Sequence, residues 1–249
     1  MKQPHLLCQK EDIAPNVLLP GDPARVLRVA EQLDDWREIA FNREFRTITG
    51  YYKGMHVSVT STGIGGASAA IAVEELAACG AETFIRIGSA GAVQSRVQLG
   101  DLIIAQGAVR EDGASKMYVD PGYPAAADPE LTLMLRNVCR RYSYRYHEGI
   151  IRSHDSFYID EEEAVMAHWN RKGVLGSDME TAALFTVARL RNVKAASVLN
   201  NVVLYQEDVK DGIGDYVDRE TAAAEGERRE IHVALEALRC YMDIVKEKG

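Results

Sequence analysis

Hydrophobic positions along the chain alternate between short apolar runs, typical of buried strands, and longer stretches with helical spacing. The apolar run 17–19 predicts the first strand. It is followed by Asp22, a helix-capping residue, and by a helical stretch over 24–33. The pattern predicts further strands over 45–51, 55–60, 83–87, 102–108 and 195–204. It predicts further helices over 66–78, 131–142, 161–171, 179–191 and 221–246. This alternation indicates an α/β domain whose central sheet is covered by helices.

The last predicted helix has the clearest amphipathic pattern. Its apolar face is formed by Ile231, Leu235, Leu238, Met242 and Val245. Such a face packs against a core, so we expect this helix to cover the sheet.

Composition narrows the class of protein. A chain of 249 residues with 47% hydrophobic side chains can bury one sizeable core, and we treat 1–249 as a single domain. The formal net charge of −8 argues against nucleic-acid binding, which needs a broad basic surface. It does not exclude a small anionic substrate, because a few local arginines can hold one.

The cysteines and the N-terminal segment indicate the cellular setting. The four cysteines lie far apart and form no CxxC pair, so we expect no zinc site. The segment 1–9 lacks the apolar core of a signal peptide, and no stretch approaches the length of a membrane span. These features favour a reduced, cytoplasmic setting without a membrane partner.

The most informative local feature is the six-residue run from Arg86 to Gly91, which directly follows the apolar segment 83–85. The arginine fork matches two phosphate oxygens, and the glycines allow a ligand close to the backbone. An unpaired charge at the end of an apolar strand is costly. We therefore expect Arg86 to have an anionic ligand or a carboxylate partner.

Three other segments have an ordinary and a functional interpretation. The turn from Gly21 to Arg25 is a plain capped helix, the preferred interpretation for that segment alone, or an anion site at a helix N-terminus. Arg43 beside Glu44 is usually a surface ion pair. Glu180 at a helix start is a dipole-matched cap or, among apolar and small neighbours, a carboxylate that accepts hydrogen bonds from two vicinal hydroxyls of a ribose.

Seven segments in one order carry a family resemblance. They are 20–25, 42–45, 61–66, 74–76, 86–92, 156–158 and 178–180. Together they resemble the nucleoside phosphorylase family that contains hexameric bacterial-type purine nucleoside phosphorylases and uridine phosphorylases. The resemblance runs from His5 to the terminal helix. It implies an α/β fold with a central mixed β-sheet, partly barrel-like, in a homo-hexamer built as a trimer of dimers.

The resemblance also implies roles for individual residues. Inorganic phosphate, the co-substrate, would be held by Gly21, Arg25, Arg86 and Ser89, and by Arg43 from a neighbouring subunit. The ribose would contact Ile64, Met179 and Glu180, and His5 from a neighbouring subunit. The base would lie against Gly91, Phe157, Tyr158 and Val203. Catalysis would depend on Arg86, Glu180 and Arg25, and neither a metal nor an organic cofactor is implied.

At the base, the chain departs from the purine branch of the family. Purine enzymes carry an aspartate where an ungapped alignment places Val202 and Val203, and Asn201 is the amide nearby. An asparagine donates a hydrogen bond but does not act as an acid at neutral pH. The 22 positions between Phe157 and Met179, in contrast, match the shorter purine arrangement.

The chain also departs from the uridine branch. Its apolar strand end matches that branch, but the glutamine and arginine that read uracil correspond to Glu161 and Glu163. On the loop length we predict phosphorolysis of purine nucleosides to free base and ribose 1-phosphate, with uridine phosphorolysis as the alternative. The arginines disfavour a nucleoside hydrolase, because a water nucleophile needs no phosphate-binding site. The missing aspartate motivates another hypothesis, a non-catalytic nucleoside-binding protein. The segment 206–218 is predicted to cover the base.

Overall fold

The computed structural model describes residues 2–207 and 222–248, which form a mixed α/β structure. Its strands are β1 (Asn16–Pro20), β2 (Asp34–Asn42), β3 (Phe45–Tyr52), β4 (Met55–Thr60), β5 (Thr83–Ala92), β6 (Leu102–Glu111), β7 (Ala125–Ala126), β8 (Tyr146–His154), β9 (Gly176–Asp178) and β10 (Lys194–Val203). Its α-helices are α1 (Pro23–Ala30), α2 (Gly66–Ala78), α3 (Gly113–Tyr118), α4 (Pro129–Arg141), α5 (Glu162–Arg171), α6 (Thr181–Leu190) and α7 (Ala222–Lys248). Each strand and helix predicted from the sequence has a counterpart among them.

The strands form one sheet that closes on itself in part. Its order is β10-β6-β8-β9-β5-β1-β4-β3-β2, and β10 also pairs with β5. This second pairing closes a ring of five strands and leaves β1, β4, β3 and β2 as an open extension. Strands β1, β5 and β10 are parallel, whereas β6 is antiparallel to β10 and β9 is antiparallel to β5. The predicted mixed and partly barrel-like sheet is confirmed.

Two hydrophobic cores lie on the two sides of β5. Phe84 packs into the core that holds α2 and α6, and Ile85 packs into the core that holds α1, α4 and α7. Neighbouring residues of a strand point to opposite faces. Arg86 therefore shares the side of Phe84, and the helices cover the sheet as the sequence predicts.

Strand β2 is a nine-residue element that the hydrophobic pattern did not predict. It spans Asp34–Asn42, is mostly exposed and pairs only with β3 at the edge of the sheet. An edge strand without a buried face shows no hydrophobic alternation, so its sequence carries no strand signal. The hairpin turns at Arg43, whose φ is +55°.

Two predicted segments have boundaries that matter for the site. The predicted helix over 179–191 begins at Thr181, because β9 ends at Asp178 and Glu180 is the N-cap residue of α6. Most of the predicted cover over 206–218 lies outside the described residues. Within 2–207 and 222–248, no helix combines the length and the apolar composition that a membrane crossing requires.

Candidate active site

A cleft with a volume of about 1110 Å³ lies at the carboxyl ends of β1, β5 and β10. Ligand sites of α/β sheets commonly take this position. Most residues predicted from the sequence line it, namely Gly21, Arg25, Ile64, Arg86, Ser89, Gly91, Phe157, Met179, Glu180 and Val203. Three predicted residues do not line it, namely His5, Arg43 and Tyr158.

Arg86 is buried in this cleft and is held by two carboxylates. Its Nε donates to Asp178 Oδ2 at 2.9 Å, and its Nη2 donates to Glu180 Oε2 at 2.6 Å. Burial alone would lower the pKa of Arg86, but the two carboxylates raise it above its ordinary value, so the charge persists. Its Nη1 is buried and has no hydrogen-bond partner among residues 2–207 and 222–248. This nitrogen lies 4.0 Å from the position that a Cβ on Gly21 would take, so the unpaired donor borders the turn after β1.

Gly88 makes room for the Arg86 guanidinium. A Cβ on Gly88 would lie 2.6 Å from Nη2 and 2.8 Å from Cζ of Arg86, closer than side-chain carbons approach one another. The guanidinium therefore lies directly against the Gly88 backbone. The sequence suggested that glycines in this run admit a ligand, and at Gly88 the group admitted is the arginine itself.

Arg25, in the first turn of α1, is the second buried arginine of the cleft. Its Nη2 donates to Ser89 Oγ at 3.1 Å, which joins two of the predicted phosphate-binding residues. Its Nε donates to Glu227 Oε2 at 2.9 Å, and its Nη1 lies 3.3 Å from Glu230 Oε1. Glu227 also pairs with Arg28. Both glutamates lie on α7, so the terminal helix fixes the arginine at the start of α1.

Glu230 is an ionisable group buried beside the Arg25 guanidinium. It is 0% exposed, and its carboxylate oxygens have no hydrogen-bond partner among the described residues. Burial raises the pKa of Glu230 to about 8, against the effect of Arg25. The protonated form therefore predominates at pH 7, and Arg25 then faces one charged carboxylate on α7, that of Glu227. This favours an additional anion at Arg25.

Glu180 is buried at the N-cap of α6. Its Oε1 accepts the Gly65 amide N–H at 2.5 Å, and its Oε2 accepts the bond from Arg86. Burial raises the pKa of Glu180, whereas Arg86 lowers it. Met179 and Ile64 are the chain neighbours of Glu180 and Gly65. The structure thus brings together the three residues of this chain that were predicted to contact ribose, and Ile64 is 80% exposed beside them.

Asp178 is a functional residue that sequence reasoning did not assign. Its carboxylate accepts from Arg86 Nε, from Ser153 Oγ at 2.6 Å and from Thr181 Oγ1 at 2.5 Å. It thereby ties β5, β8 and α6 together at the cleft. Its place in the Asp-Met-Glu segment was the available signal, since a second carboxylate two positions before Glu180 is out of place in an apolar setting.

His5 and Arg43 lie together, outside the cleft of their own chain. The Asn42 side-chain amide donates to the His5 carbonyl at 2.8 Å, which joins the N-terminal segment to the β2–β3 turn. The His5 ring Nδ1 lies 2.6 Å from Glu75 Oε1. Arg43 is exposed in the turn itself. Their action in a neighbouring subunit's site stays a prediction.

The far end of the cleft is formed by the ends of β5 and β10 and by α5. Gly91 and Val203 are paired in register, and Gly91 lies about 16 Å along the strand from Arg86. Helix α5 is anchored next to them, because the Asn170 amide donates to the Val93 carbonyl at 2.7 Å. We call this region the base end and define it by the cleft-lining residues Gly91, Phe157, Glu162, Glu163 and Val203.

Phe157 and Tyr158 are neighbours in sequence but take different positions at the base end. Phe157 lines the cleft as the resemblance implies. Tyr158 is 70% exposed and packs edge-on against the Phe157 ring, with ring centroids 4.9 Å apart. Tyr158 is therefore not part of the cleft lining, which corrects the expectation that it lines the base pocket.

Two further positions from the sequence comparison differ from expectation. Asn201 donates to the Gln98 carbonyl at 3.2 Å and does not line the cleft. Glu161 is the N-cap residue of α5, so only Glu163 of the two predicted acidic positions lines the cleft. The adjacent Glu162 lines it as well, a residue that the sequence analysis did not consider. Across residues 2–207 and 222–248, no group of three or more His, Cys, Asp or Glu side chains is placed to hold a metal ion.

Proteins of known activity resemble this chain over most of its length. Residues 15–225 match the model of the phosphorylase superfamily. A uridine phosphorylase from Thermococcus kodakarensis is 48% identical over 208 residues, which are 79% of this chain and 75% of that protein. A guanosine phosphorylase from Halorubrum lacusprofundi is 41% identical over 197 residues, which are 79% of this chain and 81% of that protein.

A solved structure agrees with these sequence relatives. The crystal structure of a uridine phosphorylase from Vibrio fischeri superposes with a TM-score of 0.89 at 48% identity, and the match covers 95% of this chain and 97% of that one. The chain belongs to the phosphorylase superfamily, as one of its nucleoside phosphorylases.

Proposed function

We propose that this enzyme uses inorganic phosphate to cleave the N-glycosidic bond of a ribonucleoside, releasing the free base and ribose 1-phosphate. The unpaired Nη1 of Arg86 carries the proposal. This buried donor borders the turn at Gly21, and the same guanidinium binds Glu180 through Nη2. A buried cationic donor needs an acceptor, and a phosphate oxygen is a matching one. Arg86 thus binds both the phosphate nucleophile and Glu180, the residue that orients the ribose.

The proposed reaction assigns a step to each part of this end of the cleft. Phosphate lies at the Gly21 turn, where Arg86 and Ser89 bind its oxygens and Arg25 balances its charge. A phosphate oxygen attacks C1′ while the C1′–N bond breaks, and the bonding electron pair leaves with the base. Glu180 accepts hydrogen bonds from the ribose hydroxyls, so that the attack is effectively intramolecular. The leaving base takes up a proton or hydrogen bonds.

Uridine and guanosine are the two candidate substrates, and uridine is the one that the relatives favour. The relatives named uridine phosphorylase support it, as does the apolar strand end at Val202 and Val203. The purine preference predicted from the spacing of Phe157 and Met179 has less support from these relatives. Guanosine is a second candidate, because one relative is a guanosine phosphorylase and because carboxylates line the base end.

We also propose that the active unit is an oligomer, arranged as a hexamer of three dimers. His5 and Arg43 would complete the site of a neighbouring subunit. Their position outside their own cleft supports this, as does the exposure of Ile64 at 80% beside Glu180. The spread of the cysteines supports a cytoplasmic location, and nucleoside salvage is the corresponding role.

The test is base release from uridine and from guanosine, measured with and without phosphate. We expect release that requires phosphate and yields ribose 1-phosphate in equal amount. Release at the same rate without phosphate would indicate a hydrolase, and nucleoside binding without turnover would indicate a non-catalytic protein. Sedimentation coupled to the assay tests the shared site, because an active monomer contradicts it.

A further inference from the structure

We infer that Glu162 is the residue that determines base specificity, and that it binds a nucleobase whose edge presents two adjacent N–H donors. Guanine is such a base, with N1–H beside its 2-amino group. The inference rests on the proposed phosphorolysis and extends it to the residue that reads the base.

Glu162 combines access to the cleft with an unpaired acceptor. The residue lies in the first turn of α5 and lines the base end. Its Oε2 is buried and has no hydrogen-bond partner in the part of the chain that the structure describes. A buried carboxylate oxygen without a donor is costly. An N–H group of a bound base removes that cost, so Glu162 suits a donor on the base.

His154 is a second acceptor in the same cleft. Its Nδ1 lies 2.8 Å from the Ser156 carbonyl oxygen, and because a carbonyl only accepts, Nδ1 carries the proton. Burial, followed by the charge of Arg152, lowers the pKa of His154, whereas the nearby Glu162 raises it. The ring is therefore neutral at pH 7, and its Nε2 has a free lone pair. The α5 side of the cleft thus presents acceptors.

The positive charges of the cleft lie elsewhere. In the part of the cleft that the structure describes, the lysine and arginine side chains are those of Arg25 and Arg86, both at the phosphate end. Glu163 and Glu207 add carboxylates to the lining. This distribution disfavours a base that presents mainly carbonyl oxygens.

The edges of the candidate bases differ in the required way. Uracil presents a single N–H between two carbonyl oxygens, so a carboxylate that accepts from N3–H also faces at least one of those oxygens. Guanine presents N1–H and the 2-amino group side by side, and they match the two oxygens of one carboxylate. Glu162 therefore favours guanosine over uridine, and over inosine, which lacks the 2-amino group.

The test compares kcat/KM for guanosine, inosine and uridine in the unmodified enzyme, Glu162→Gln and Glu161→Gln. Glu161 is the matched control, since it is an exposed neighbouring glutamate outside the cleft lining. A hydrogen bond to a charged group implies that guanosine exceeds inosine by about tenfold or more. Glu162→Gln should lower the guanosine value by about tenfold, mainly through KM, and raise the uridine value relative to it, because a glutamine amide can donate to a uracil carbonyl. Glu161→Gln should leave all three within about twofold.

Equal kcat/KM for guanosine and inosine overturns the inference, as does a loss in Glu162→Gln that is the same for all three substrates. Phosphate-dependent cleavage of uridine would leave the proposed function intact in that case. If no nucleoside is cleaved with phosphate, the proposed function fails instead. Calorimetry with guanosine and inosine in the absence of phosphate then decides the inference. Tighter guanosine binding that depends on Glu162 supports it, and equal affinities overturn it.

Discussion

The two ends of the cleft recognise their ligands by different means. At the phosphate and ribose end, Arg86 and Arg25 are buried and each faces two carboxylates from other elements of the fold. At the base end, Glu162 and Glu163 lie on a peripheral helix, where Glu163 is exposed and Glu162 has an unpaired oxygen. In the proposed reaction, the first end contacts the atoms that all ribonucleosides and phosphate share. The second contacts the base, which differs between substrates.

The two ends also differ in how strongly a substitution lowers the stability of the fold. Removing one partner of a buried ion pair costs about 3–5 kcal/mol, because the other charge stays buried without compensation. Residues of the phosphate end therefore support the fold and the reaction together. Substitutions on the accessible face of α5 change stability by about 0.5 kcal/mol or less. The base end can thus vary while the phosphate end stays fixed.

Arg86→Ala should break the phosphate end most severely. It removes the unpaired donor and leaves Asp178 and Glu180 without their cationic partner. We expect phosphorolysis to fall about a thousandfold or more and the free energy of unfolding to fall by about 3 kcal/mol. Initial rates at varied phosphate and urea unfolding measure the two effects. Arg96→Ala, at an exposed arginine, is the control, and near-normal phosphate dependence in Arg86→Ala would contradict the assignment.

Gly88→Ala tests how rigidly the phosphate end is held. The added Cβ would lie 2.6 Å from Arg86 Nη2 and must displace the guanidinium. A displacement of about 1 Å can cost about a hundredfold in rate, so we expect a loss of that size in kcat/KM. Gly122→Ala is the matched control, since nothing lies within 4 Å of its Cβ position. Equal activity of the two variants would show that the guanidinium adapts without loss.

Glu230→Gln sharpens the comparison through the pH dependence of stability. The folded protein holds the pKa of Glu230 at about 8, above the ordinary value of 4.5. Between these values the folded state binds more protons than the unfolded state. The unfolding free energy therefore falls as pH rises through this window, by up to about 1.4 kcal/mol per pH unit.

Glu230→Gln removes this dependence. The unfolding free energy of the variant, relative to that of the unmodified protein, should therefore increase from pH 5 to pH 8. Urea unfolding at both values measures the gain. A stability difference between the two proteins that is the same at both values would contradict the pKa assigned to Glu230.

The phosphate site was predictable from the sequence where its signals are local. The run from Arg86 to Gly91 and the turn from Gly21 to Arg25 each combine a strand end, a glycine and an arginine within a few positions. The partners of Arg25 were not predictable in this way, because Glu227 lies 202 positions away. One signal for it exists in the sequence. Glu227 lies four residues before Ile231, on the predicted apolar face of the terminal helix, where a charge indicates a buried partner.

The fold and the base end show two other limits of sequence reasoning. Strand β2 was missed because an exposed edge strand has no hydrophobic alternation. The spacing between Phe157 and Met179 predicted a purine preference, but it records only the length of the intervening segment. Which side chains α5 presents to the cleft depends on how the helix docks beside Val93. The position of Glu162 in the cleft lining is therefore seen only in the structure.

The bond between Arg25 and α7 also bears on the order in which the protein is completed during synthesis. Arg25 and Glu227 are 202 positions apart, so nearly the whole chain must emerge from the ribosome before they can meet. Strands β1 and β5 can pair long before that point, and Arg86 can meet its two carboxylates once Asp178 and Glu180 have emerged. The bond from Arg25 to Glu227 forms only with the final helix. The proposed phosphate site is therefore completed late in translation, and a chain interrupted before α7 lacks Glu227, a partner that positions Arg25.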